Sequence, residues 1–277
     1  MKQLSAFLFS ILMITSCSHK KETPALVNPT KSDFLVLYYS QEGATEKIAH
    51  EIQQQLGADI EAVDVTKPYD GDFNQTIERC QKEMETGETP ELKELKTNID
   101  DYNIIFIGYP VWFGTYAPPI DALVKKYNFA GKKIIPFCTF GSGGLNTSTE
   151  ALKKALPQAE ILDGYGIRNA RINKASQEIT DFLIASHFIE GEIQELPDYS
   201  SQIRVTAHEK DIFNTACGDY PMLKATPLTF GSRNTPVGTD YLFTAENEGR
   251  DGKTVIKVKI TIDKTQGGIP EFTEVIR

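Results

Sequence analysis

The chain has 277 residues, 40% of them hydrophobic and 24% charged, and a net charge of −9. Its length allows about two domains, and its composition is that of globular protein. The acidic balance, with no basic stripe to interrupt it, excludes a general role in holding nucleic acid, whose phosphates need a basic surface.

The first element is a targeting segment. Lys2 precedes an apolar run over residues 4–14, which ends in Ile14-Thr15-Ser16-Cys17. The run is too short and wrongly flanked to span a membrane. It resembles a bacterial lipoprotein signal covering residues 1–17, with Cys17 as the acylated first residue after cleavage; a plain secretory signal is the alternative. Residues 18–32, polar and holding Pro24 and Pro29, read as a tether. The expected location is the cell envelope, with the folded domains outside the cytoplasm and the membrane reached only through the lipid.

Strand-like and helix-like segments then alternate. Residues 34–39 read as a strand, and Ile48, Ala49, Ile52 and Leu56 recur at helical spacing. A strand over 60–65 and an acidic segment over 72–95 follow. Next come a strand over 102–107, a helix over 120–127 behind Pro118-Pro119, and a strand over 132–139. A helix near 147–156, a strand near 160–167 and a helix over 176–188 complete the series. This predicts an α/β domain over 33–189, a doubly wound, five-stranded parallel sheet. Residues 190–201, polar and holding Pro197, read as a linker. Beyond it the pattern becomes α+β, with a helix over 207–217 and strands over 222–229, 239–246, 254–262 and 271–276. Three of these strands alternate with period 2. The helix followed by an antiparallel meander, with Pro236-Val237-Gly238-Thr239-Asp240-Tyr241 leading into a long strand, resembles a cystatin-type fold over 200–277. The protease-inhibitor activity of that family does not carry over, because only Val237-Gly238-Thr239 matches its hairpin motif.

Three small-residue segments fall at the ends of expected strands: Ser40-Gln41-Glu42-Gly43-Ala44-Thr45, Gly108 to Gly114, and Thr139-Phe140-Gly141-Ser142-Gly143-Gly144. Ligands of open α/β sheets bind beyond the carboxyl ends of the strands. The first segment leads into a helix whose N-terminus offers unpaired N–H groups and partial positive charge, which suits a phosphate. The second holds the only tryptophan, Trp112, beside Phe113, and aromatic rings there suit a flat ring system. The third has almost no side-chain bulk, so main chain can approach a polar ring edge.

Tyr39-Ser40-Gln41-Glu42-Gly43-Ala44-Thr45, Gly108-Tyr109-Pro110-Val111-Trp112, Lys67-Pro68-Tyr69 and Thr89-Pro90-Glu91-Leu92 resemble motifs of the flavodoxin family, over a little more than half of the chain. The resemblance implies the strand order 2-1-3-4-5, bound FMN and redox chemistry at the flavin. It also implies the site. Ser40, Gln41, Glu42, Gly43, Ala44 and Thr45 lie at the phosphate; Pro110, Val111, Trp112, Phe113 and Gly114 border the ring; Thr139, Phe140, Gly141, Ser142 and Gly143 meet its polar edge. Glu42 departs from the family's usual threonine and puts a carboxylate near the phosphate. The implied function is a membrane-tethered FMN protein in electron transfer or oxidoreduction, supplied by a redox partner protein or by NAD(P)H. The alternative is a binding module on an empty flavodoxin scaffold, with recognition by residues 200–277. Cys80, Cys138 and Cys217 have no CxxC spacing, and His19, His50, His187 and His208 are scattered. No metal site is expected, and no general acid or base can be chosen.

Overall fold

Two apolar runs set the centre of the structure, β1 (Phe34–Tyr38) and, further along, β3 (Ile104–Trp112). Their successive apolar residues leave no polar face, as befits strands covered on both sides. This is a computed structural model, and it describes residues 32–141, 144–218, 220, 223–249 and 252–276. Cys17, the signal and tether, and Ser142 and Gly143 of the expected site lie outside the described residues. Strand β1 pairs in parallel with β2 (Asp59–Ala62) on one side and with β3 on the other. A short β4 (Thr115–Tyr116) folds back antiparallel on β3, and β5 (Lys133–Phe140) pairs in parallel with its other edge. Both β6 (Glu160–Ile161) and β7 (Tyr165–Arg168) pair with β5. The path β2-β1-β3-β5-β6 is the doubly wound 2-1-3-4-5 order, with β4 as an added ribbon.

Strand β2, expected over 60–65, ends at Ala62, and two further departures in this sheet have a reason in the backbone. The single strand expected over 160–167 is split. Leu162 donates its N–H to the Ile134 carbonyl at 2.9 Å, and the next rung would need an N–H from Pro136, which has none. Pairing resumes opposite Phe137. Strand β3, expected to stop at Ile107, runs on to Trp112. Gly108 and Pro110 read as breakers, but β1 pairs with β3 only as far as Gly108. Past that point β3 is an edge on that side, where a proline costs no ladder bond.

The helices of this part are α1 (Ala44–Leu56), α2 (Phe73–Thr86), α3 (Pro118–Lys126), α4 (Leu145–Ala155) and α5 (Ala175–Ala185); α1, α3, α4 and α5 cover the sheet, and α2 lies against α3. Side chains alternate between two cores. Val36, Phe106, Ile135 and Phe137 pack with Ile48 and Ile52 of α1 and with Ile179 and Leu183 of α5. Leu35, Leu37, Ile105, Ile107 and Ile134 pack on the opposite face with Ile120 and Leu123 of α3 and Leu152 of α4. Each such buried side chain contributes roughly 1.5–3 kcal/mol.

Beyond residue 190 an antiparallel sheet forms within the same compact unit, Ser32–Arg277. Its elements are β8 (Ile203–Arg204), α6 (Ala207–Cys217), β9 (Ala225–Thr235), β10 (Gly238–Gly249), β11 (Gly252–Asp263) and β12 (Pro270–Ile276), in the order β12-β11-β10-β9-β8. A capping box between Thr206 and Glu209 starts α6. The helix lays Ile212, Phe213 and Cys217 on Phe230, Phe243, Val258, Ile260 and Phe272. Strand β9, expected over 222–229, starts at Ala225 and continues through the polar run to Thr235. Cross-strand partners explain the extension. Arg233 holds Asp240 at 2.9 Å, and the Thr261 hydroxyl donates to the other Asp240 oxygen at 2.8 Å.

Candidate functional site at the carboxyl ends of the strands

Sequence direction reverses between β1, which leads outward to β2, and β3 on its other side. Ligands of open α/β sheets bind at such switch points. Behind β1 the chain turns through Gly43 at φ 84, a left-handed conformation that glycine adopts freely. The Ser40 hydroxyl oxygen accepts the Gly43 N–H at 3.1 Å, which leaves the hydroxyl proton for another acceptor. The first helical bond of α1 runs from the Lys47 N–H to the Gly43 carbonyl. No side chain caps this helix. Its opening N–H groups and the positive end of its dipole therefore meet the switch point with no side chain bonded to them, although Glu46 lies in the first turn. Glu42 is exposed.

Gln41 turns away from the helix. Its amide nitrogen donates to the Tyr69 carbonyl at 2.9 Å and to the Thr76 hydroxyl at 3.4 Å, tying the first loop to the start of α2. Thr45 also turns inward. Its buried hydroxyl lies 2.8 Å from that of Thr139, so the two hydroxyls expected to face a ligand join the first loop to the end of β5. Such a buried bond contributes about 0.5–1.5 kcal/mol, and losing one partner costs about 1–3 kcal/mol.

Strands β3 and β4 are joined by a two-residue turn, with Trp112 opposite Thr115. Phe113 at φ 50 and Gly114 at φ 81 occupy its centre. Positive φ at both positions is the type I′ geometry that suits the twist of a hairpin. A bulky residue rarely adopts it, at a cost of roughly 1–3 kcal/mol. Phe113 is 52% exposed. Pro110 lies at the rim, and Val111 is turned into the core.

Trp112 sits half-buried in an aromatic wall. Its ring centroid is 5.9 Å from Tyr39 and 5.3 Å from Tyr69, both edge to face. The Arg79 guanidinium lies 3.8 Å over the Tyr69 ring. It is held there by Glu83 and by the carbonyls of Lys67 and Pro68, each at 2.9 Å. The Tyr69 hydroxyl donates to Glu83. Burial pushes the Tyr39 hydroxyl up to about 12. Burial, and then the Glu83 acceptor, raise Tyr69 further. Both hydroxyls are neutral at physiological pH and both tyrosines are buried in the core, so the half-buried Trp112 is the most open ring of the three.

At the third segment Phe140 is half-buried against the core and Gly141 is exposed. The Gly141 carbonyl accepts from Arg168 Nε at 3.4 Å and from the Tyr220 hydroxyl. The Thr45–Thr139 contact joins the first and third segments, and pairing of Pro110 with Thr139 joins the second and third. Sequence reasoning named the segments but missed Tyr39, Tyr69, Arg79, Arg168 and Tyr220 as parts of the site. Tyr39 and Tyr69 stand inside the quoted motifs. Arg79 and Glu83 show i,i+4 spacing on a helix. Nothing local marks Arg168 or Tyr220.

A doubly wound sheet with its loops gathered at the switch point defines the flavodoxin-like class of α/β protein. The chain belongs to the flavodoxin family, whose model matches residues 33–183. Among solved structures, a protein described as a flavoprotein from Bacteroides eggerthii is 28% identical, with 54% of this chain and 99% of that one covered and a TM-score of 0.46. One described likewise from Bacteroides uniformis is 24% identical, with 55% and 99% covered and a TM-score of 0.49. A flavoprotein in complex with FMN from Lactobacillus acidophilus is 24% identical, with 52% and 99% covered and a TM-score of 0.45. No curated protein matches the chain.

Proposed function

We propose that this flavodoxin-family protein binds FMN at the switch point and serves in electron transfer or oxidoreduction while anchored to a bacterial membrane. The observation that carries the reading is the uncapped N-terminus of α1 together with the half-buried Trp112, braced edge to face by Tyr39 and Tyr69. One feature suits a phosphate and the other a flat ring, and FMN combines the two. The Ser40 hydroxyl and the N–H groups that open α1 would hold the phosphate. Gly43 makes the turn that aims them, while Gln41, Thr45 and Thr139 keep the loops in place. Pro110, Trp112, Phe113 and Gly114 would border the ring, and the segment from Phe140 to Gly143 would meet its polar edge.

Bound FMN supplies the electron-carrying chemistry, and the protein supplies position and electrostatics. Electrons would come from a redox partner protein or from NAD(P)H. Cys17 would carry the lipid, placing the folded domains in the cell envelope. Acyl chains contribute about 0.8 kcal/mol per buried CH₂, so more than one chain gives firm anchoring.

Titration with FMN tests the first part. Trp112 is the only tryptophan, so its fluorescence should fall sharply as the flavin binds. Trp112→Ala should weaken binding by about 1 kcal/mol or more. A colourless protein that takes up no FMN would overturn the reading. The anchor is tested in a bacterial host, where Cys17→Ser should release the protein from the membrane fraction. Retention of the variant with the mass of unmodified protein would refute the lipid.

A further inference from the structure

The third segment of the site is held in part from outside the parallel sheet. Gly141 has no side chain, so its carbonyl is the group by which neighbours can fix it, and glycine backbone is otherwise the least restrained. Two donors converge on that carbonyl: Arg168 Nε, from the end of β7, and the Tyr220 hydroxyl, from the segment behind α6. The second donor belongs to the antiparallel part of the chain.

Arg168 is itself locked in place. Its guanidinium lies 4.4 Å from the Tyr220 ring centroid and 4.1 Å from that of Phe272. The two rings are 5.1 Å apart. Another guanidinium nitrogen donates to the Phe272 carbonyl at 2.9 Å, and Phe272 is a core residue of the antiparallel sheet. Ion pairs close the same seam, Lys174 to Asp263 at 2.6 Å and Arg171 to Glu271 at 3.7 Å. Two rings and a carbonyl thus keep a cation beside Gly141.

We propose that Tyr220 and Arg168 are positioning residues of the flavin site, through which the C-terminal sheet sets the conformation and charge at Gly141. This rests on the FMN reading above. It has two consequences. Cofactor affinity depends on a hydroxyl in the antiparallel domain, because a loosened Gly141 must be ordered when the ligand binds. The potential of the bound flavin depends on Arg168, because a nearby cation favours the form carrying more negative charge.

The experiment uses the full chain and three variants. Tyr220→Phe keeps the ring against Arg168 and Phe272 and removes only the donor. Arg168→Gln removes the charge, and Arg168→Lys keeps the charge without the planar stack. FMN affinity, midpoint potential, melting temperature and hydrogen exchange at residues 139–141 of the flavin-free protein are measured for each. Tyr220→Phe should weaken FMN about tenfold, equal to about 1.4 kcal/mol, and speed exchange at 139–141 with little change in melting. Arg168→Gln should weaken FMN similarly and lower the midpoint potential, and Arg168→Lys should restore the potential. Wild-type affinity, potential and exchange in Tyr220→Phe and Arg168→Gln would overturn the proposal. If the wild-type chain binds no FMN, the FMN reading fails and the flavin consequences fail with it. Exchange at 139–141 in Tyr220→Phe then still decides whether the C-terminal sheet holds the segment.

Discussion

In the parallel sheet, neighbours along a strand are both buried: Leu35 and Val36, Ile105 and Phe106, Ile134 and Ile135. In β11 of the C-terminal sheet only alternate residues are. Ile256, Val258 and Ile260 lie in the core, while Val255 and Lys257 are exposed. Helices on both faces leave the first sheet no open face, so a ligand finds room only at its strand ends. Parallel pairing brings the carboxyl ends of β1, β3 and β5 to the same edge. The antiparallel sheet covers one face with α6 and sends successive ends to opposite edges. The parallel sheet therefore builds the site, and the antiparallel sheet can only brace it from the side.

The largest expected effect tests the difference in burial. Ile105→Ala should cost about 2–5 kcal/mol and Phe106→Ala about 3–5 kcal/mol, because each empties a different core. In β11, Ile256→Ala should cost about 2–5 kcal/mol, whereas Val255→Ala and Lys257→Ala should stay within about 0.5 kcal/mol. Urea unfolding of each variant measures this. An alternating response in β3, like that of β11, would break the contrast.

A smaller effect tests the strand ends as the binding edge. Glu42→Thr replaces an exposed carboxylate beside the α1 N-terminus with a hydroxyl. Two unit charges about 4 Å apart repel by about 1 kcal/mol in water, and the new donor adds about 1 kcal/mol. FMN should bind about five- to thirtyfold more tightly, since about 1.4 kcal/mol is tenfold. Riboflavin, which lacks the phosphate, should gain less in the same titration. Equal gains would show that residue 42 acts on the fold and not on the phosphate.

The smallest effect lies in the seam between the sheets. The Lys174 hydrogen bond, then those from Thr265, pull the Asp263 carboxyl down from its ordinary 3.8 to about 2. A carboxyl lowered in the folded state stabilises that state above its unfolded value and loses the contribution as pH falls through about 2. The seam should thus hold its Lys174–Asp263 pair at pH 4, and an NMR titration should place Asp263 near 2. A value near 3.8 would show the pair to be open in solution, and the bracing of the site would then rest on Arg168 and Tyr220.

The amino-acid sequence by itself determined what short-range pattern can carry. Continuous apolar runs mark strands covered on both faces, and small residues at their ends mark the ligand edge. The helix over Ala207–Cys217 was legible to the residue because its start is set by a local device, Thr206 with Glu209. Only tertiary structure decided which surfaces meet. Pro110 looked like a stop, yet it sits in a strand because β1 has already ended beside it. Glu160 to Ile167 looked like one strand, yet it is split because its partner at that rung is Pro136. Thr45 and Thr139 were read only as facing a ligand, yet their hydroxyls also meet each other across 94 positions of sequence. Tyr220 reaches Gly141 across 79. Periodicity and turn chemistry act over a few residues, so they place each side chain on a face of its own element. Which other element that face will touch is settled only when the sheets close and every buried polar group must find a partner.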